Sequence, residues 1–171
     1  STPLEAAGLN LNDTLWSAKA LLECPDLVRK VHYDYYAAGA NAVEACSYQA
    51  TEAAFARKGI EKAEASRLIR LSGELVREAK NDALLEHPEW DPADLLTAGS
   101  IGPYGAYLAD GSEYTGAYNL TREEYYAFHQ LRLDELLNSG MDILAIETQP
   151  RFDEIEALLA MIADRDITCW V

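Results

Sequence analysis

Four short apolar runs separated by helix-patterned stretches constrain this chain more than any other feature. The runs are 41–48 (NAVEACSY), 95–101 (LLTAGSI), 141–148 (MDILAIET) and 167–171 (ITCWV). They are apolar on both sides, as expected of strands covered by helices in a parallel sheet. Before the first run, residues 25–39 put Leu27, Val31, Tyr35 and Ala38 at helical spacing, and Gly39 suits the stop. Residues 61–86 predict a long amphipathic helix with Ala65, Leu68, Ile69, Leu71, Leu75 and Val76 on its apolar side. Residues 121–139 open on a capping box, Thr121-Arg122-Glu123-Glu124, and stop before Gly140. A last helix is expected over 152–163. Strands alternating with helices specify an α/β fold of parallel (β/α) units.

Two architectures meet that description, an open doubly wound sheet and a (β/α) barrel. Four strands are too few to close a barrel of eight. No GxGxxG follows the first strand, so a dinucleotide-binding sheet has no motif behind it. Both architectures bind ligands at the C-terminal ends of their strands. Three segments therefore share one rim: 47–51, 99–116 and 147–150. The middle one, GSIGPYGAYLADGSEYTG, is long for a connection, and such loops are either functional or disordered. Its tyrosines argue for order, because disordered segments are poor in aromatics.

The formal net charge of −15 argues against nucleic acid or an anionic membrane as partner. No apolar run approaches the ~18 residues needed to span a bilayer, and no secretory signal is recognisable ahead of the first helix. Cys24, Cys46 and Cys169 are scattered without a CxxC pair, which suggests neither a disulfide framework nor a zinc knuckle. A cytoplasmic protein is expected.

LNDTLWSAKALLE (11–23), SYQAT (47–51), GSIGPYGAYLADGSEYTGAY (99–118), Phe128-His129 and DILAIETQP (142–150) stand here in the order and spacing found in homocysteine S-methyltransferases. The chain resembles that family over essentially its whole length, and most of all the branch using S-methylmethionine or S-adenosylmethionine. The resemblance implies the first half of a (β/α)8, TIM-like barrel, with residues 1–171 a partial homocysteine-binding domain ending at about strand five. It implies methyl transfer from a sulfonium donor to homocysteine, giving methionine. The zinc of such enzymes is held by cysteines of later strands. None of the three cysteines here matches a ligand position, so no metal ligand and no catalytic residue is expected within this chain.

The same resemblance implies roles for the rim residues. Glu147, with Thr148 beside it, would grip the α-ammonium of homocysteine. Ser47, next to Tyr48, would donate to the substrate carboxylate. Asp110 and Glu113 would complement a sulfonium cation, and Tyr104, Tyr107 and Tyr114 would add cation–π contacts. The alternatives are a strand-end carboxylate paired with a Lys or Arg for Glu147, a hydroxyl bonding its own loop for Ser47, and for each loop residue mere ordering of the loop against the helices. His129 is expected to be a packed, hydrogen-bonded helical histidine rather than a proton shuttle, and Trp16 and Trp90 packing anchors. Two rivals stay open: a catalytically incomplete half-barrel that oligomerises or binds an amino acid without turnover, and a metal-free enzyme using Glu147 as general base. An open sheet edge predicts a homo-oligomer, or association with a C-terminal half.

Overall fold

The computed structural model describes residues 2–171. The chain runs through α1 (Thr2–Ala6), a 3-10 turn (Trp16–Lys19), α2 (Ala20–Glu23) and α3 (Pro25–Ala37) before entering β1 (Ala42–Glu44). Helices α4 (Glu52–Ala56) and α5 (Lys62–Glu86) lead to β2 (Leu96–Ile101). Then follow α6 (Tyr104–Leu108), α7 (Ser112–Thr115), α8 (Arg122–Asn138), β3 (Ile143–Ile146), α9 (Phe152–Ile162) and β4 (Thr168–Trp170). None of these helices is long and apolar enough to cross a membrane.

The four strands form one parallel sheet in the order β1-β2-β3-β4. A doubly wound sheet reverses its strand order at a switch point; this sheet never reverses, as in a barrel wall. Its two faces differ. Val43, Ile101, Leu144 and Ile146 join the main core with Tyr36, Phe55, Leu68, Ile69, Leu133, Leu136 and Leu158 of the helices. Fully burying one such Leu or Ile contributes about 1.5–3 kcal/mol. The opposite face holds only a small cluster, Ala98, Ile143 and Ala145, with Leu96 packed on it. One side of the sheet is thus covered by helices, and the other is the lining expected of a barrel interior.

Local chemistry accounts for the element ends. Pro25 opens α3 at its first turn. Thr121 Oγ1 accepts from the Glu124 backbone N–H at 3.2 Å, and Glu124 Oε2 accepts from Thr121 N–H at 2.7 Å, the reciprocal capping box the sequence predicts. Helices α5 and α8 approach closely at Gly73, where a Cβ would lie 2.0 Å from Ser139 Oγ. The β2–β3 register is locked by Asp142, whose Oδ2 accepts from Thr97 N–H (2.8 Å) and Thr97 Oγ1–H (2.9 Å).

Two expectations change. The first strand is shorter than the run 41–48: after Ala45, whose N–H still donates to Ala98 O, the chain turns at Ser47. Residues 99–116 are not a plain loop either. Gly99, Ser100 and Ile101 belong to β2, as the run 95–101 implies, and the remainder folds into α6 and α7 instead of an irregular loop. The break between these short helices falls at Ala109 and Gly111, both in the left-handed region.

Candidate functional site

At the C-terminal end of the sheet lies a cavity of about 840 Å3, bordered by Trp16, Glu44, Tyr48, Ser100, Glu113, Tyr114, Glu147 and Thr148. That size suits a small-molecule site, for which roughly 300–1,000 Å3 is usual. Glu147 follows β3 directly. Its N–H donates to Ile101 O at 3.2 Å, continuing the ladder, and its carboxylate accepts from the Ser100 hydroxyl on the neighbouring strand. Thr148 then takes a left-handed conformation with φ 55°. For a β-branched residue this is strained, by on the order of 1–3 kcal/mol, and it ends the strand sharply behind Glu147.

Glu44 points to the same face, because it stands in register with Ala98, a member of the small inner cluster. Desolvation, and then the charge of Glu147, raise its carboxyl above the usual range. Tyr48 reaches over from the turn after β1. Its hydroxyl donates to Glu113 Oε2 at 3.1 Å, its ring meets Trp16 edge-on at 6.1 Å, and burial keeps the phenol protonated. Gly102 makes this possible, since a Cβ there would lie 2.7 Å from the Tyr48 ring.

Electrostatically the cavity is one-signed. Asp13, Glu44, Glu113 and Glu147 border it, and no Lys or Arg is among its described lining residues. Lys58 binds Asp13 at 2.9 Å but does not itself line the space. A negative wall with indole and phenol faces is chemistry for receiving a cation.

The homocysteine S-methyltransferase family model matches residues 1–171. The chain belongs to that family. Homocysteine S-methyltransferase of Escherichia coli (strain K12) is 53% identical over 162 residues, covering 95% of this chain and 52% of that protein. Homocysteine S-methyltransferase YbgG of Bacillus subtilis (strain 168) is 46% identical over 165 residues, covering 96% and 52%. Among solved structures, the metallated form of the E. coli homocysteine methyltransferase MmuM superposes with a TM-score of 0.93 at 52% identity, covering 99% of this chain and 58% of that one. The chain spans about half the length of the curated relatives it matches.

The residues that the family resemblance singled out separate into two groups. Glu147, Thr148, Tyr48, Glu113 and Tyr114 border one cavity. Ser47, Tyr104, Tyr107 and Asp110 do not. Ser47 is fully buried and its hydroxyl donates to Ser100 O at 2.8 Å, so its proton is committed to β2. Tyr104 and Tyr107 pack on each other and on Phe128, and Tyr107 also carries the Arg57 guanidinium on its face at 3.7 Å. Asp110 Oδ1 accepts from Ser112 N–H at 2.9 Å and closes the turn that leads into α7.

Trp90 stacks on His87 at 4.1 Å, as a packing anchor should. Trp16 differs from its expected role: it is 37% exposed and stands at the cavity. Glu44 is the other residue that the motifs miss, and only its period-two register with the inner face could have found it. His129 is fully buried and hydrogen-bonded on both ring nitrogens, as expected for a packed helical histidine.

The solved relative has a metallated form, and the side chains present here bear on whether they could hold such an ion. Among the described residues no three His, Cys, Asp or Glu side chains converge to hold an ion. Cys46 donates its S–H to Ser17 O at 3.0 Å, and burial pushes that thiol up to about 11, the opposite of a ligand thiolate. The described side chains do not fit a zinc site.

Proposed function

We propose that residues 1–171 supply the substrate-binding half of a homocysteine S-methyltransferase, their four strands standing as the second to fifth of a (β/α)8 barrel. The observation that carries this reading is the Glu147 carboxylate, without an ion-pair partner among the described residues and set at a strand tip in a cavity whose described lining has four carboxylates and no Lys or Arg. Both substrates of the reaction are cations at the atoms to be held: the α-ammonium of homocysteine and the sulfonium of S-methylmethionine or S-adenosylmethionine.

In this reading Glu147 accepts from the ammonium, with the Ser100 hydroxyl holding the carboxylate in place. Glu113 and the faces of Trp16, Tyr48 and Tyr114 receive the sulfonium. The homocysteine sulfur attacks the methyl carbon in line. A carbon–sulfur bond forms, the old one breaks, its electron pair stays on the leaving thioether, and the thiol proton is released. The chain's contribution is orientation, since holding two reactants in line supplies much of the barrier reduction for such a transfer. Zinc, where bound in the completed enzyme, supplies a thiolate; its donors lie outside these residues.

The three free cysteines suit a reducing, cytoplasmic compartment. The outer edges of β1 and β4 and exposed Trp170 and Val171 support pairing with a further strand, from a second copy or from the rest of a barrel. The test is methyl transfer by the purified protein, with any sequence that flanks residues 1–171 in its natural chain retained. Isotope-labelled methyl from S-methylmethionine or S-adenosylmethionine should appear in methionine when homocysteine is added. No homocysteine-dependent transfer from either donor would overturn the reading.

A further inference from the structure

We propose that a buried chain of Arg132, His129 and Glu154 is the positioning device of the cavity, holding the Tyr48 turn and the Gly102 end of β2 in place. The proposal rests on the homocysteine reading for what the cavity binds, but its geometry stands apart from that reading.

The three side chains are withdrawn from water: His129 and Glu154 are 0% exposed and Arg132 is 1% exposed. Arg132, on α8, has no direct carboxylate partner. Its Nη1 donates to Tyr48 O at 2.5 Å, and its Nη2 to Gly102 O and to His129 Nδ1, each at 2.7 Å. A guanidinium only donates, so His129 Nδ1 must accept and its proton must sit on Nε2. That N–H donates to Glu154 Oε1 at 2.8 Å. The imidazole is therefore neutral and of one tautomer, a spacer between a buried cation and a buried anion. Burial, with the Arg132 charge, pushes it down to about 4 even with Glu154 as partner.

Glu154 gathers two more donors, Tyr104 N–H at 2.7 Å and Tyr118 O–H at 2.6 Å. The network thus joins six segments that the chain delivers separately: the turn after β1, the end of β2, the start of α6, the loop at Tyr118, α8 and α9. Two of them meet at the cavity. The ring of Tyr48 lies against Gly102, and its hydroxyl holds Glu113. Burying a guanidinium and a carboxylate without a direct pair carries a large desolvation cost. A packed apolar cluster would hold α8 to the sheet without that cost. What it would not do is grip two backbone carbonyls, one belonging to Tyr48 in the cavity wall and the other to Gly102, against which the Tyr48 ring lies. Arg132 is a positioning residue acting through Tyr48.

The experiment compares His129→Leu, Arg132→Lys and His129→Gln with the wild type, flanking natural sequence retained and at temperatures well below each melting point. Gln can accept from Arg132 and donate to Glu154, so it keeps both links; Leu keeps neither. Two readouts are taken: homocysteine affinity by titration calorimetry, and amide exchange over 102–104, where Gly102 N–H donates to Tyr48 O and Tyr104 N–H to Glu154. His129→Leu and Arg132→Lys should speed that exchange and weaken homocysteine by about tenfold, the scale of one misplaced charged hydrogen bond, while His129→Gln restores both. Faster exchange with wild-type affinity would reduce the network to a structural role and overturn the proposal. So would unchanged exchange in folded His129→Leu. If the wild type itself binds no homocysteine, the functional reading fails, and exchange over 102–104 decides the positioning alone.

Discussion

Replacing Glu147 by Gln removes a charge while keeping the shape that meets Ser100, so it isolates what the carboxylate does. That charge has no Lys or Arg within ion-pair distance among the described residues, where its one side-chain partner is the Ser100 hydroxyl. Its charge disfavours ionisation of Glu44 and also favours the buried Arg132 cation, two effects of opposite sign on stability. Glu147→Gln should therefore leave the melting temperature nearly unchanged, and the Glu44 carboxyl should move back toward its ordinary range as one of its two perturbing causes disappears. Binding should respond differently. A hydrogen bond between a carboxylate and an ammonium contributes about 1.5–3 kcal/mol, and each 1.4 kcal/mol is tenfold. Homocysteine affinity should thus fall by roughly ten- to a hundredfold or somewhat more. Titration calorimetry paired with a thermal melt reads both numbers. Unchanged affinity would refute the ammonium contact, and a melting point that collapses together with affinity would show a structural carboxylate instead.

Acid should destabilise the fold before its carboxylates protonate. Burial pushes His32 and His129 down to about 4 from an ordinary value near 6.5. The unfolded chain takes up these protons first, so the stability present above pH 6.5 is lost as pH falls toward 4. At pH 5 each histidine accounts for on the order of 2 kcal/mol; urea unfolding at pH 7 and pH 5 measures the loss, and equal stabilities would refute it. Gly102→Ala would place a Cβ 2.7 Å from the Tyr48 ring. The expected overpacking cost is about 1–3 kcal/mol, seen in denaturant midpoints, with faster exchange near Tyr48; a neutral variant would show that the ring yields freely.

Elements with one uniform face were legible in the sequence. The α5 stripe through Ala65, Leu68, Ile69, Leu75 and Val76 is buried as its period implies, and the Thr121–Glu124 box opens α8 where expected. Helix α8 shows where such reasoning stops. Its buried face carries His129, Arg132 and Glu135 among Tyr125, Leu133 and Leu136, so polar and apolar positions do not sort into stripes. Their partners lie on other elements: Arg132 meets Tyr48 from 84 positions earlier, and His129 meets Glu154 from 25 later. Nothing local announces such contacts. The same applies to the rim tyrosines, identical in type along 104–118. Packing on Phe128 draws Tyr104 and Tyr107 inward and leaves Tyr114, 75% exposed, at the cavity.

The unreversed strand order also dictates how the chain acquires its shape. Each strand pairs with the one synthesised just before it, with a helical connection between them. No described strand waits for a partner made two or more strands later, so loops close over short spans and little chain entropy is lost at each step. The sheet can grow at a single edge in the order of translation, every new unit docking on a template already formed. During synthesis, then, one exposed edge, that of β1, stays where it is while the other moves with each new strand, and protection of that moving edge is the demand this architecture places on the cell that makes it.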